Sequence, residues 1–161
     1  MSHSRTEIDA TIERYLELRR SIDAGDTEGW TGIAEFFTDD CVYIDPAWGR
    51  VEGIGALREF LDESMRGLED WKFPVEYTAV DGDTVVVKWT QISPGARADG
   101  TAYEQSGYST LVYAGDGKFS YEEDLLNMAH VNEDLRAAGW RPEAGFVMPP
   151  ANPDRFWKRN R

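Results

Sequence analysis

Three places in the chain set an ionisable or hydroxyl side chain among apolar neighbours, where a proton can be moved as well as solvated. The first is Asp45, which ends the β-branched and aromatic run Cys41–Ile44 and precedes Pro46. A carboxylate there can simply terminate strand pairing in a turn. It can equally act as a general base, because partial desolvation in an apolar cavity raises its basicity. The second is Tyr15, which shares a helical face with Ile8, Ile12 and Ile22. An aromatic ring on such a stripe is ordinarily core. Its hydroxyl still needs a partner when buried, and in a cavity it could donate to a substrate oxygen.

The third is YEEDLLN, Tyr121 to Asn127, with three carboxylates in four residues. Strand alternation sends Glu122 and Asp124 to one face and Glu123 to the other. Carboxylates that face inwards need donors or protons, and Lys88 and His130 are the candidate partners. His130 follows the acidic strand and can be read as a base, a carboxylate partner or a helix-end cap. The other histidine, His3, lies near the N-terminus. No HxxxH, HxH or CxxC pattern suggests a metal. Nor is there a P-loop, a GxGxxG or a GxSxG. The expectation is chemistry without a metal or cofactor.

The elements that must position these groups follow from periodicity. Ser4-x-x-Glu7 opens a helix that runs to Gly25, and a second short helix carries Trp30, Ile33, Ala34 and Phe37. After the Cys41 strand, a loop with Trp48, Gly49 and Gly53 opens a third helix over about 54–65, with Ile54, Leu57, Leu61 and Met65 on one face. The period then changes. Strands are expected over 73–80, 84–92, 101–113 and 118–127, joined by the Asp81-Gly82 turn, the Ser93–Gly100 loop and the Gly115-Asp116-Gly117 turn. A last short helix is expected over about 129–138. Helices first and hairpin-linked strands afterwards make an α+β pattern, in which long antiparallel strands curl and leave a mouth for a pocket.

Bulk properties bound the rest. A length of 161 residues with 41% hydrophobic and 12% aromatic content suits a single packed domain. A net charge of −13 argues against nucleic acid and against an anionic membrane surface. The one cysteine, Cys41, sits in an apolar strand and reads as a buried thiol. No long apolar run and no signal-peptide pattern is present, so a soluble cytoplasmic protein is expected. The domain is expected over residues 1–140, with an extended, proline-rich tail over 141–161 packing on the domain or on a partner subunit. The tail ends in RFWKRNR. Its cations, Arg155, Lys158, Arg159 and Arg161, read as a solvated terminus, or as partners of an acidic patch while Phe156 and Trp157 dock on the body.

From about Ile8 to Asn127 the chain resembles the SnoaL-like and ketosteroid-isomerase branch of the nuclear-transport-factor-2-like superfamily. The resemblance is carried by RYLEL…DAGDTEGW, FFTDDCVYIDPAWGRVEGIGALREF and YAGDGKFSYEED. It implies an α+β barrel: a cone of curved antiparallel sheet wrapped by three N-terminal helices, with an internal pocket and a homodimer formed through the outer sheet face. It places Tyr15 on the tyrosine that donates to the dienolate oxygen and Asp45 on the catalytic base. Ser109 falls where ketosteroid isomerases carry a protonated aspartic acid, and a serine hydroxyl is the poorer donor. Asp124 is the counterpart of the acidic residue near the last strand of SnoaL-like cyclases. Limonene-epoxide-hydrolase-like members use an Asp-Arg-Asp set on the sheet, and no strand arginine is found here. The implied activity is isomerisation, cyclisation or dehydration of an apolar, carbonyl-containing ligand of polyketide or steroid type. Catalysis would fall to Asp45, Tyr15 and Asp124, with Trp48 and Trp89 as pocket walls and Ser109, Glu122, Asn127 and His130 as further contacts. The competing expectation is a non-catalytic ligand-binding or dimeric scaffold domain, since one fold hosts many functions.

Overall fold

Ser4 accepts from the Glu7 amide and starts α1, Arg5–Asp23. Only half of the expected capping box forms, because the Glu7 carboxylate accepts from the Tyr113 hydroxyl instead. The computed structural model describes residues 2–158. After α1 comes a 3-10 helix, Thr27–Phe36, and Phe37 begins β1, Phe37–Asp45, rather than ending the helix. β2, Gly49–Glu52, replaces the expected loop and pairs antiparallel with β1, with Asp45 opposite Gly49. Four residues beginning with a glycine carry too little pattern to be read as a strand. α2 then spans Ile54–Met65 and buries Leu57, Phe60 and Leu61.

The remaining strands are β3 (Val75–Asp81), β4 (Thr84–Ala96), β5 (Ala102–Gly115) and β6 (Lys118–Leu126), followed by α3, Met128–Ala138. β4 continues four residues beyond its expected end at Ile92 and takes in part of the Ser93–Gly100 segment. Gly139 ends α3 in the left-handed region, the conformation glycine adopts without a Cβ penalty. The six strands form one sheet in the order β2-β1-β6-β5-β4-β3. Its edges, β2 and β3, do not pair, so the sheet is curved and open rather than a closed barrel. It is also mixed, since β1 runs parallel to β6 while every other neighbouring pair is antiparallel. A β1 that arrives from the helical layer has its direction set by the crossover, which hairpin rules do not reach.

The core lies between the inner sheet face and the helices, where Ile8, Ile12, Tyr15 and Ile22 of α1 meet Val85, Val87, Leu111 and Phe119. One close approach shapes the interior: a Cβ on Gly107 would run into the Trp89 ring opposite it. The indole can therefore lie flat against β5. Among the described residues no helix is long and apolar enough to cross a membrane.

Residues 141–158 run as an extended tail over the β1–β2 end of the sheet. The Arg50 amide donates to the Asp154 carbonyl at 2.6 Å, and Arg50 Nη1 donates to the carbonyls of Phe156 and Lys158 at 3.0 and 2.7 Å. Arg155 Nε donates to the Pro46 carbonyl, and the Tyr121 hydroxyl to that of Trp157. These hydrogen bonds hold the end of the tail by its backbone carbonyls and by Arg155, and Trp157 remains 61% exposed. Arg159 and Arg161 lie outside the described residues.

Candidate functional site

Strand alternation on β1 turns Tyr43 and Asp45 to the concave side, and alternation on β6 does the same for Glu122, Asp124 and Leu126. The parallel β1–β6 register sets Tyr43 opposite Glu122. On the next strand Ser109 faces Asp124. α1 lays Tyr15 and Arg19 over this patch from the other layer. Together with α2, α3 and the tail, these elements line an open-mouthed cavity of about 370 Å³, a volume suited to a small molecule. Its walls are largely apolar and include the rings of Trp30, Trp48, Phe60, Trp71, Trp89 and Trp140.

The polar patch has a definite wiring. Trp89 Nε1 donates to Ser109 Oγ at 3.0 Å, and Ser109 Oγ donates to Asp124 Oδ1. The Tyr43 hydroxyl donates to Asp124 Oδ2 at 2.5 Å. Both Asp124 oxygens are therefore held by donors, whereas Glu122 Oε2, in a side chain only 1% exposed, has no partner. Burial and then the adjacent Asp124 charge push the Glu122 carboxyl well above the usual carboxylate range. Burial also raises Asp124, but the Ser109 and Tyr43 hydrogen bonds oppose it. Glu122, without a donor on Oε2, is accordingly the more basic of the two and the one that takes a proton first.

The cation that balances this pair is Arg19. It donates Nη1–H to the Tyr15 hydroxyl at 2.9 Å and Nη2–H to the Phe73 carbonyl at 3.0 Å. Desolvation works against its charge, yet the Tyr15, Glu122 and Asp124 oxygens outweigh that and raise its pKa. Burial, reinforced by Glu122, holds the Tyr15 phenol well above its ordinary value, so it is a neutral donor. Its oxygen accepts from Arg19 and its proton is left for another acceptor.

Asp45 is both a turn cap and a cavity wall. Its Oδ1 accepts from the amides of Ala47 and Trp48 at 2.7 and 2.8 Å, which closes the β1–β2 hairpin. Oδ2 makes no hydrogen bond among the described residues. Desolvation first, and the Asp124 charge second, raise its pKa from 3.8 to about 6 against the pull of those two amides.

The structure thus brings Tyr15, Asp45, Trp48, Trp89, Ser109, Glu122 and Asp124 to one cavity. It does not bring Asn127 or His130 there. Asn127 caps α3 by accepting from the His130 amide, and the His130 ring sits 3.2 Å from Asp134, one turn along the helix. Lys88 is likewise no partner of the acidic pair, since it projects from the outer face to Glu76 and to the Trp89 carbonyl. Ser109 has its proton committed to Asp124, so it offers no second oxyanion donor. Sequence reading missed Arg19, Tyr43 and Trp71. The signal for Arg19 was its spacing of four from Tyr15, which places both on one helix face. Among the described residues no group of three or more His, Cys, Asp or Glu side chains is placed to hold a metal ion.

Comparison with known proteins agrees with this architecture. A proposed SnoaL-like polyketide cyclase from Jannaschia sp. CCS1 superposes with a TM-score of 0.63 at 20% identity, over 88% of this chain and 99% of that one. TerC, crystallised with polyporic acid, gives a TM-score of 0.58 at 21% identity, over 78% and 98% of the two chains. SalBIII, an epoxide hydrolase/cyclase-like enzyme of pyran ring formation in salinomycin, gives 0.56 at 19%, over 76% and 94%. At these identities the likeness concerns the fold. A search of curated protein sequences finds no match. The sequence model of the SnoaL-like domain matches residues 13–122, more than half of the chain. With the curved sheet and its pocket as described, the chain belongs to the SnoaL-like domain family.

Proposed function

We propose that the protein is a cofactor-independent acid/base enzyme that enolises an apolar, carbonyl-containing ligand of polyketide or steroid type, leading to isomerisation, cyclisation or dehydration. The observation that carries this reading is a cavity that holds two buried carboxyls in unlike settings, Asp45 with a free Oδ2 and Glu122 without a donor on Oε2. Asp45, raised to about 6, presents an unbonded Oδ2 as base, and Glu122, pushed well above the usual carboxylate range by burial and the Asp124 charge, is the proton donor. Asp45 takes a proton from the carbon next to the substrate carbonyl. The electron pair moves to the carbonyl oxygen, where the Tyr15 hydroxyl, polarised by Arg19, stabilises the oxyanion. Glu122 supplies a proton to carbon in isomerisation or to an oxygen in aldol closure or dehydration, and is reprotonated as Asp45 gives its proton up. Asp124 positions Glu122 and keeps it neutral rather than reacting itself.

Two further features belong to the reading. Tyr77, Tyr108 and Leu125 are 52%, 40% and 58% exposed. They extend the row Tyr77–Lys88–Tyr108–Leu125 across the outer sheet face, and a homodimer through that face is proposed. The buried thiol of Cys41 fits a reducing compartment such as the cytoplasm. The acidic surface supports a small-molecule ligand rather than nucleic acid or membrane.

The test is deuterium exchange next to the carbonyl of a bicyclic ketone in heavy water, followed by NMR. Acceleration by the wild type that is lost in Asp45→Asn and sharply reduced in Tyr15→Phe is the expected result. Tight binding of a planar phenol without any acceleration between pH 5 and 9 would instead establish the second reading, a ligand-binding domain. The turn-capping role of Asp45 Oδ1 is what favours that alternative.

A further inference from the structure

Trp71 is 8% exposed, lines the cavity and leaves its indole Nε1–H without a partner. A buried unpaired donor costs free energy, on the order of 1–3 kcal/mol, so its retention beside a ligand pocket calls for an acceptor that arrives with the ligand. Its setting is fixed by packing. The ring stacks edge-on against Trp140 at 5.8 Å, and Trp140 in turn against Phe146 at 5.4 Å. Gln91 lines the same region and spends its Nε2 on Gln105, leaving Oε1 as an acceptor on the cavity wall.

The strand register separates this donor from the Asp45–Tyr15 patch. Asp124 pairs with Ser109, which pairs with Val87, whereas Lys72, next to Trp71, bridges Ile92. The interval from Val87 to Ile92 is about 17 Å of strand. Between the two levels lie Trp89 and Phe73, whose apolar rings are 6.1 Å apart. The cavity therefore has a polar patch at one end, an aromatic middle and a lone donor at the other.

The geometry points to a second polar subsite, in which Trp71 Nε1 donates to an oxygen at the far end of the ligand. The substrate class is accordingly an elongated, largely apolar body with one carbonyl at the Tyr15 end and a second carbonyl, ether or hydroxyl oxygen at the Trp71 end. A hydroxyl there can also donate to Gln91 Oε1. This rests on the reading above in that Tyr15 defines the first end.

Two probes separate the ends: a plain naphthol, and a naphthol carrying an acetyl group at the opposite end of the ring system. The wild type is expected to bind the acetyl compound three- to tenfold more tightly, roughly the worth of one hydrogen bond. In Trp71→Phe that ratio falls to about one, while Tyr15→Phe weakens both probes and preserves the ratio. In the unmutated protein the Trp71 indole N–H resonance moves downfield with the acetyl compound and stays put with naphthol, a readout that needs no variant to fold. A ratio unchanged in Trp71→Phe, or an indole resonance that ignores the acetyl group, overturns the subsite and leaves the Tyr15 reading standing. A ratio that collapses in Trp71→Phe while Tyr15→Phe binds like wild type upholds the subsite and overturns the Tyr15 reading. Failure of both probes to bind overturns both.

Discussion

Arg19 lies one helical turn beyond Tyr15 on α1 and donates to its hydroxyl at 2.9 Å, although neither side chain reaches bulk solvent. A guanidinium buried this way keeps its charge because the Tyr15 hydroxyl and the nearby Glu122 and Asp124 carboxyls outweigh the cost of desolvation. It therefore serves the fold and the phenol donor together.

Replacing Arg19 by Leu removes two hydrogen bonds and leaves the Asp124 charge uncompensated. The expected cost is about 2–4 kcal/mol, read from urea unfolding at pH 7. Arg19→Lys should recover only part of it, because an ammonium keeps the charge but not the two-pronged geometry that reaches Tyr15 and Phe73. A Leu variant as stable as wild type would mean that the acidic pair is neutral and needs no cation.

Asp45 makes a signed prediction in pH. Its folded-state pKa is raised from 3.8 to about 6, so between those values the native protein holds a proton that the unfolded chain has lost. The contribution of this carboxyl to stability falls as pH rises through that window, reaching a penalty of about 3 kcal/mol above it. Asp45→Asn keeps an Oδ1 acceptor for the Ala47 and Trp48 amides and carries no charge. The variant should match wild type near pH 4 and exceed it at pH 8, compared by denaturant unfolding, while exchange activity disappears. Equal destabilisation at both pH values would show that the turn requires the carboxylate.

The two β6 carboxyls should respond oppositely to amidation. Glu122→Gln replaces a neutral acid by a neutral amide of the same shape, and its expected effect at pH 7 is within about 1 kcal/mol. Asp124→Asn sets an amide NH2 against the Tyr43 or Ser109 hydroxyl, and a loss of about 2–4 kcal/mol is expected. Thermal and urea unfolding of the two variants check this, and equal losses would place the proton on neither residue in particular.

Gly49 controls the tail. Its φ is 83°, and a Cβ there would lie 2.6 Å from the Asp154 carbonyl and 2.7 Å from Pro153 Cβ. Gly49→Ala should lift the tail from β2 at a cost of about 1–3 kcal/mol, speed tryptic cleavage after Arg155, and weaken naphthol binding, because Phe146, Met148 and Pro149 line the cavity. Unaltered cleavage would show that the tail is anchored elsewhere.

Much of this was legible in the chain. Local rules suffice for α1, α2 and α3, since the Ser4 cap, the apolar spacing from Ile54 to Met65 and the Gly139 stop all act within a few residues. Period-two alternation likewise puts Glu122 and Asp124 on one face, and the Asp45-Pro46 pair marks a strand end. Tyr15 and Asp45 could be singled out from residue type and neighbours.

What stayed hidden depends on partners distant in sequence. The parallel β1–β6 pairing, which sets Tyr43 beside Glu122, is decided by how the helical layer returns the chain to the sheet. The donors of Asp124 come from residues 81 and 15 positions away, and no periodicity encodes such a meeting. His130 and Lys88 look as suitable as Arg19 on charge alone; only packing shows that they face Asp134 and Glu76. The tail, too, is a run of prolines and cations until Arg50 on the edge strand β2 offers its amide and guanidinium to the tail's carbonyls. Local patterning determined the helices and the longer strands, and which residues each turns inwards. Tertiary structure decided which of those residues meet, and burial by the assembled layers sets their proton affinities.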